Sequence, residues 1–444
     1  MPIDYLAEYD AAAEADKFPL VRQWIDSDPL PFFAQLRSER PILVTPECTL
    51  LSRFTDIRDA MQMPRIFTVE LYKEKMGVKD DDPGFMMAHD DDPLHDRERA
   101  IMLGFLNRDD IPQLRDLVAK EAKNILQESS GSIEMISQYS RIVPTKLVTD
   151  YFGLDGITTD KLLDWSYWNQ YNSFHNHPFN LHSEEKSNHI TQQQERSVTE
   201  MKRYIKALLV RKLITVNTKD RLIRTPLSAV NAVLRLMGKA PFKLKDDIVQ
   251  RMLLTCFAEN VDFPLDRIGA NIGGLLVGTV ETTSQAVAQT IRFFLERPAV
   301  LQQAIQAASQ DNPEQFDSMV WEALRFVPIS PYLFRTAAED YTIARGTDRQ
   351  TTITAGTNVL MLTQSAMFDE YCHLNPEEFN PQRNWYHHFN FGFASHDCIG
   401  KHIGRVMIAE MVRQLLRRNS LRATSEMDFE DGPFPESYHL SWVE

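Results

Sequence analysis

Phe389-Asn390-Phe391-Gly392-Phe393-Ala394-Ser395-His396-Asp397-Cys398-Ile399-Gly400 runs directly into the amphipathic stretch Lys401 to Arg418. Small residues and a turn precede the cysteine, and a helix is predicted to begin just after it. The Cys398 sulfur therefore sits where backbone N–H groups and the positive end of a helix favour a thiolate. That is the setting of a metal-ligating cysteine. With one cysteine and no second ligand nearby, a tetrahedral zinc site is poorly served, whereas a porphyrin iron takes four ligands from its own macrocycle and needs one from the protein. Haem fits this arithmetic.

Outward from that loop the pattern is mainly helical. Leu114 to Leu126, Met201 to Val216, Asp246 to Glu259, Asn271 to Leu295, Val300 to Ser309, Gln315 to Phe326 and Cys398 to Arg418 all place apolar residues at helical spacing. Shorter β-prone pieces, Ile42 to Val44, Tyr341 to Ala344, Thr351 to Ile353 and Tyr438 to Val443, are bounded by Gly, Pro or charge. The expected fold class is mainly α with small β-sheets. The stretch Asn271 to Leu295 is long and apolar in its middle, so it is expected to run through the core.

The chain has 444 residues, 43% hydrophobic and 25% charged, which suits a large globular core. No Gly/Ser linker, repeat or low-complexity tract divides it, so one unit over 1–444 is expected. A formal net charge of −14 disfavours nucleic acid, whose phosphates demand clustered Lys and Arg. Met1-Pro2-Ile3-Asp4-Tyr5 has no basic start or apolar run, and Ile272 to Val280 falls far short of the roughly 20 residues that span a bilayer. A cytoplasmic protein without a membrane anchor is expected. Cys48, Cys256 and Cys372 are widely spaced and read as small buried hydrophobes.

The cysteine segment resembles the haem-binding loop of the cytochrome P450 superfamily, Phe-Gly-x-Gly-x-His-x-Cys-x-Gly. Phe391, Gly392, His396, Cys398 and Gly400 match in register, and Ala394 replaces the second glycine. Alanine reaches positive φ less readily, so a slightly displaced loop is expected. Other matches follow in the family's chain order. Glu322-Ala323-Leu324-Arg325 fits Glu-x-x-Arg, and the resemblance implies a buried network of Glu322, Arg325 and Arg383. His95 and Arg99 fit His-x-x-x-Arg, spaced to aim at one anion, and with Arg335 and His396 they correspond to the donors for the haem propionates. Val277-Gly278-Thr279-Val280-Glu281-Thr282-Thr283 aligns Gly278, Glu281 and Thr282 with the oxygen-activation motif, while Thr279 replaces a glycine.

The resemblance implies a soluble, bacterial-type haem-thiolate monooxygenase carrying haem b. Its fold would hold the haem between a long central helix and the cysteine loop, with a smaller β-containing N-terminal lobe. Splitting dioxygen heterolytically needs two protons, and the Thr282 hydroxyl backed by the Glu281 carboxylate is a suitable relay. Phe85, Met86 and Met87, between the acidic triplets Asp80–Asp82 and Asp90–Asp92, together with Gly278, Val327, Ile329, Tyr332 and Leu333, are expected to wall an apolar pocket for a fatty acid, terpenoid, steroid or aromatic compound. His175, His177 and His182 read as part of a helix pair over the substrate channel rather than as a metal site. Lys401, Arg405, Arg413, Arg417 and Arg418 are candidates for a basic face that docks a ferredoxin or flavodoxin served by an NAD(P)H-dependent reductase. Three alternatives remain open: a peroxide-driven haem-thiolate peroxygenase, a haem-containing isomerase or dehydratase of the same fold, and a non-catalytic haem sensor or carrier.

Overall fold

A computed structural model describes residues 3–106, 108–222, 246–256, 258 and 260–444. Its longest fully described element is the 31-residue central helix Leu265–Leu295. No proline interrupts this stretch, and apolar residues such as Ile268, Ile272, Leu276, Val280, Val287 and Ile291 recur on the faces it buries. Helices Ile111–Glu128, Glu184–Leu222, Ile248–Cys256, Pro298–Ala308, Glu314–Phe326 and Lys401–Leu416 fall on the other predicted segments. The expected end of one of these, at Glu259, lies outside the described residues. Around the central helix the main core gathers Trp165, Phe293, Phe294, Phe316, Met411 and Leu415. Among the described residues, no helix is long and apolar enough to cross a membrane.

The β structure departs from the expected N-terminal lobe. A five-stranded sheet has the order Ile42–Val44, Thr49–Leu51, Asn358–Met361, Leu333–Ala337, Phe67–Thr68, so strands from both ends of the chain share it. Thr49–Leu51 pairs parallel with Asn358–Met361, with Leu50 opposite Leu360. Thr49, Leu50 and Leu51 are all buried, the continuous apolar run that a strand covered on both faces requires. This sheet carries Arg335 in the strand Leu333–Ala337 and fixes it beside the cysteine loop.

A second anchor is electrostatic. Glu322 and Arg325 lie on one face of the helix Glu314–Phe326, fully buried, with Arg325 Nε and Nη2 donating to the two Glu322 oxygens at 3.0 and 2.8 Å. Arg383 Nε adds a third contact to Glu322 at 3.1 Å, and its Nη2 donates to the Asn375 and Glu378 carbonyls. The segment that leads toward the cysteine loop is thereby tied to the helix. Replacing Glu322 by alanine leaves two arginines without their carboxylate, and the expected cost is about 3–5 kcal/mol. Chemical denaturation of Glu322→Ala against the unsubstituted protein measures it.

Candidate functional site

Helix Lys401–Leu416 starts immediately after Gly400, and Cys398 occupies the preceding turn. The Cys398 N–H donates to Phe391 O at 2.8 Å, which closes the loop on itself. Gly392 has φ +71° and Ala394 has φ +59°. Ala394 thus adopts left-handed backbone, a conformation that favours glycine, at a cost of roughly 1–2 kcal/mol. Burial raises the Cys398 thiol above its ordinary value, opposed by the Gly400 N–H and the charges of Arg99 and Lys401. Desolvation thus outweighs the helix terminus, and the thiolate needs a cation at the sulfur to persist.

His95 and Arg99 share the helix Pro93–Phe105, whose N-terminus is capped by the Asp92 carboxylate at 2.8 Å from the His95 N–H. They do not converge on one group. Arg99 pairs with Asp397, whereas the His95 ring lies 5.2 Å from that of His396. His95 is fully buried and its Nε2 has no partner. Arg335, also buried, donates from Nη1 to its neighbour's carbonyl at Phe334, and burial pulls it below its ordinary pKa. His396 Nε2 sits 3.3 Å from Asp90, in the acidic triplet Asp90–Asp92. A buried imidazole with an unpartnered nitrogen, a buried guanidinium and a half-buried cysteine form a donor set that suits a haem with its two carboxylates.

The helix Pro93–Phe105 is clamped to the central helix by a pair the sequence reading missed. Arg267 donates to Glu98 at 2.5 and 2.9 Å, and Asn271 adds a bond at 2.7 Å. All three side chains are buried, but 169 residues separate Glu98 from Arg267, so no local spacing announces them.

Thr279 and Thr282 both bond back along the central helix, to Leu275 O at 2.6 Å and Gly278 O at 2.7 Å. A Cβ at Gly278 would meet open space. Thr282 lines a cleft of about 390 Å³ that Asn390 and Gly392 of the cysteine loop also line. Glu281 does not face it with Thr282. Consecutive helical residues point about 100° apart, and Glu281 is buried against Arg141 at 3.1 Å, which also pairs with Glu436 at 2.8 Å. Burial pushes the Glu281 carboxyl up to about 7, opposed by Arg141 and reinforced by Glu436.

Ile329, Tyr332 and Leu333 line the cleft, as expected. Other expected wall residues do not. Met86 is fully buried in the main core, Val327 packs against that core, and the Met87 sulfur accepts from Arg99 at 3.6 Å. Phe85 packs against the central helix at Gly274, where only a glycine leaves room for the ring. The cleft is also less apolar than expected, because Arg22, Gln170, His175 and Gln285 share its lining. His177 and His182 each bond a carbonyl through Nε2, to Ser173 and His175, so the three histidines do not converge on a metal. The basic face shrinks too: Arg413 is buried, and both it and Arg417 donate to the Ala308 carbonyl. Arg405 lies 4.0 Å over the Trp385 ring, and Lys401 pairs with Asp397.

The family model of cytochrome P450 matches residues 169–439, which include the central helix, Glu322, Arg325 and the cysteine loop. The chain belongs to the cytochrome P450 family. Mycinamicin IV hydroxylase/epoxidase of Micromonospora griseorubida is 31% identical over 145 residues, 33% of this chain and 34% of that protein. Steroid C26-monooxygenase of Mycolicibacterium smegmatis is 21% identical over 362 residues, 79% of this chain and 76% of that protein. The solved structure of cytochrome P450 CYP109Q5 from Chondromyces apiculatus superposes with a TM-score of 0.71 at 19% identity, covering 94% of this chain and 95% of that one. The alignments with the first relatives span 26% to 34% of those proteins' lengths.

Glu281 makes the site's stability depend on pH in a stated direction. Its carboxyl is raised from an ordinary 4.5 to about 7, so the folded protein holds this proton more tightly than the unfolded chain does. The associated stability is complete below pH 4.5 and is lost as the pH rises through about 7. Relative to Glu281→Gln, which cannot titrate, the unsubstituted protein should lose stability across that window and run parallel above it. Denaturant midpoints for both proteins across the pH range measure the difference.

Proposed function

We propose that this chain is a haem-thiolate monooxygenase that hydroxylates an organic substrate with dioxygen, using electrons from a separate ferredoxin or flavodoxin. The observation that carries the reading is the cleft itself, lined both by Thr282 and by Asn390 and Gly392 of the Cys398 loop. Bound haem would supply a redox-active iron at which dioxygen is reduced. The chain's own part is to hold that group and to manage protons. Cys398 Sγ would ligate the iron, with Arg99, Lys401 and the Gly400 N–H favouring its anionic form. His95, Arg99, Arg335 and His396 would hold the haem carboxylates, which would give the unpartnered His95 Nε2 an acceptor.

Thr282 holds the proton nearest the cleft. Its hydroxyl now donates to Gly278 O, and releasing that bond frees the proton for transfer. Glu281 is the store behind it, because a carboxyl with a pKa near 7 both gives and accepts protons at neutral pH. The same Glu281 carries the one observation favouring a peroxide-driven enzyme: its pairing with Arg141 turns the acid away from Thr282. The substrate is drawn from the apolar classes that Ile329, Tyr332 and Leu333 would accommodate: fatty acids, terpenoids, steroids or aromatics.

Two substitutions test the reading. Cys398→Ala should abolish the red-shifted absorption of the reduced carbon monoxide complex that thiolate ligation gives, and its persistence would overturn the ligand assignment. Thr282→Ala should still bind haem, carbon monoxide and substrate, yet form product roughly 100-fold more slowly while NAD(P)H consumption continues as hydrogen peroxide. Product formed per NAD(P)H consumed is the measurement. Unchanged coupling would remove Thr282 from the relay, and peroxide-supported turnover above the reductase-supported rate would favour the peroxygenase.

A further inference from the structure

Buried polar side chains normally have partners, so a buried amide without one is a pointer to what it is meant to bind. Gln170 and Gln285 are 3% and 5% exposed, neither side chain makes a hydrogen bond among the described residues, and their amide atoms are not sealed off but keep access to the cleft. Both line the cleft that holds Thr282. Gln285 stands three residues beyond Thr282 on the central helix, hence on the same face and about 4.5 Å further along its axis. Gln170 comes from the helix Thr159–His175, which packs against the central helix, and His175 at the end of that helix lines the same cleft. Burial lowers the His175 pKa to about 3, reinforced by His177, Arg22 and His182, so its ring is neutral at physiological pH.

The charged groups of the cleft narrow the ligand further. Arg22 donates to Asp26 at 2.6 Å and to the Tyr332 hydroxyl at 2.8 Å, so its charge is already paired with an acid, and its Nε alone is left without a partner. The remaining charge on the lining is Asp431, another carboxylate. A free carboxylate entering here would meet two acids and one committed arginine. A hydrocarbon would cover Gln170 and Gln285 while leaving their amides unbonded. A neutral molecule with hydroxyl or carbonyl oxygens satisfies them, since each amide both donates and accepts.

We propose that the substrate is a neutral, oxygen-bearing molecule whose hydroxyl or carbonyl is held by Gln170, Gln285 and His175, about one helical turn from the carbon presented to Thr282. This rests on the monooxygenase reading and selects within its substrate classes: oxygenated terpenoids or steroids over free fatty acids and plain hydrocarbons. It also makes Gln285 a specificity-determining residue, setting which carbon lies opposite Thr282.

The test titrates the purified haem protein with matched pairs that differ only in oxygenation, testosterone against androstane and a terpene alcohol against its parent terpene, with palmitate as the acid. The spin-state shift and isothermal calorimetry read the affinity. In at least one pair the oxygenated member should bind about 10-fold tighter than its parent and than palmitate, and Gln285→Leu or Gln170→Leu should remove that advantage while leaving the parent unaffected. Without ligand, both variants should keep or raise Tm, because no bond is lost; a lowered Tm would show instead that the amides serve the fold. No preference within any pair, tighter palmitate, or a preference that survives both substitutions would overturn the proposal. The reduced carbon monoxide spectrum separates this from failure of the underlying reading: a thiolate spectrum with no oxygen preference sinks only the substrate proposal, whereas its absence sinks the haem-thiolate assignment.

Discussion

A long helix driven through the middle of a protein must satisfy its own polar side chains without water, and the arrangement of this fold follows from how the central helix does so. Arg267 and Asn271 near its start take Glu98, which pins the helix carrying His95. Glu281 in its middle takes Arg141, and through it Glu436 from the C-terminal segment. Ser284 bonds Ser140 at 2.7 Å. Each of these contacts recruits a different part of the chain to the helix, while Thr279 and Thr282 bond back to carbonyls of the helix itself. Gln285 breaks this pattern by facing the cleft unbonded, and its position beside Thr282 gives the break a chemical meaning.

The loop side of the cleft is held by a different means. Gly392 and Ala394 turn the cysteine loop through left-handed backbone, and the Cys398 N–H closes it on Phe391. Such a loop persists only when its surroundings over-determine it. Here Trp321 and Trp385 pack against the Phe391 ring at 5.0 and 5.9 Å, and Trp321 belongs to the same helix as Glu322 and Arg325. The buried ion network and the strained loop are thus two ends of one support. The network fixes the helix, and the helix gives the loop an aromatic bed.

What the sequence disclosed and what it hid divide along the distance between interacting residues. Cys398, Glu322 with Arg325 and the Thr282 segment were legible because their chemistry lies within a few neighbouring positions. The helices were legible because apolar spacing is local too. Arg141 with Glu281, 140 residues apart, and His396 with Asp90, 306 apart, were not, since nothing around either residue names the other. The mixed sheet was hidden for the same reason: Thr49–Leu51 and Asn358–Met361 are short and meet only in the fold. The motif also suggested more than geometry allows, by placing Glu281 and Thr282 side by side in sequence and so inviting a direct contact.

A helix cannot aim consecutive residues at one point, and this separation has a use. Were Glu281 to share the cleft with Thr282, a carboxyl near pH 7 would stand among the same groups that bind an oxygenated ligand, and a substrate hydroxyl could bond to it directly. Buried on the Arg141 side, it is screened from the cleft by the body of the helix. Its pKa is then set by its burial, with Arg141 opposing and Glu436 reinforcing the rise, rather than by whatever enters the cleft. Under the proposed function, proton storage and substrate recognition would occupy two faces of one helix, with Thr282 at the boundary. Its side chain is short and its present bond is to a carbonyl of its own helix, so a rotation about χ1 is enough to exchange that partner for another.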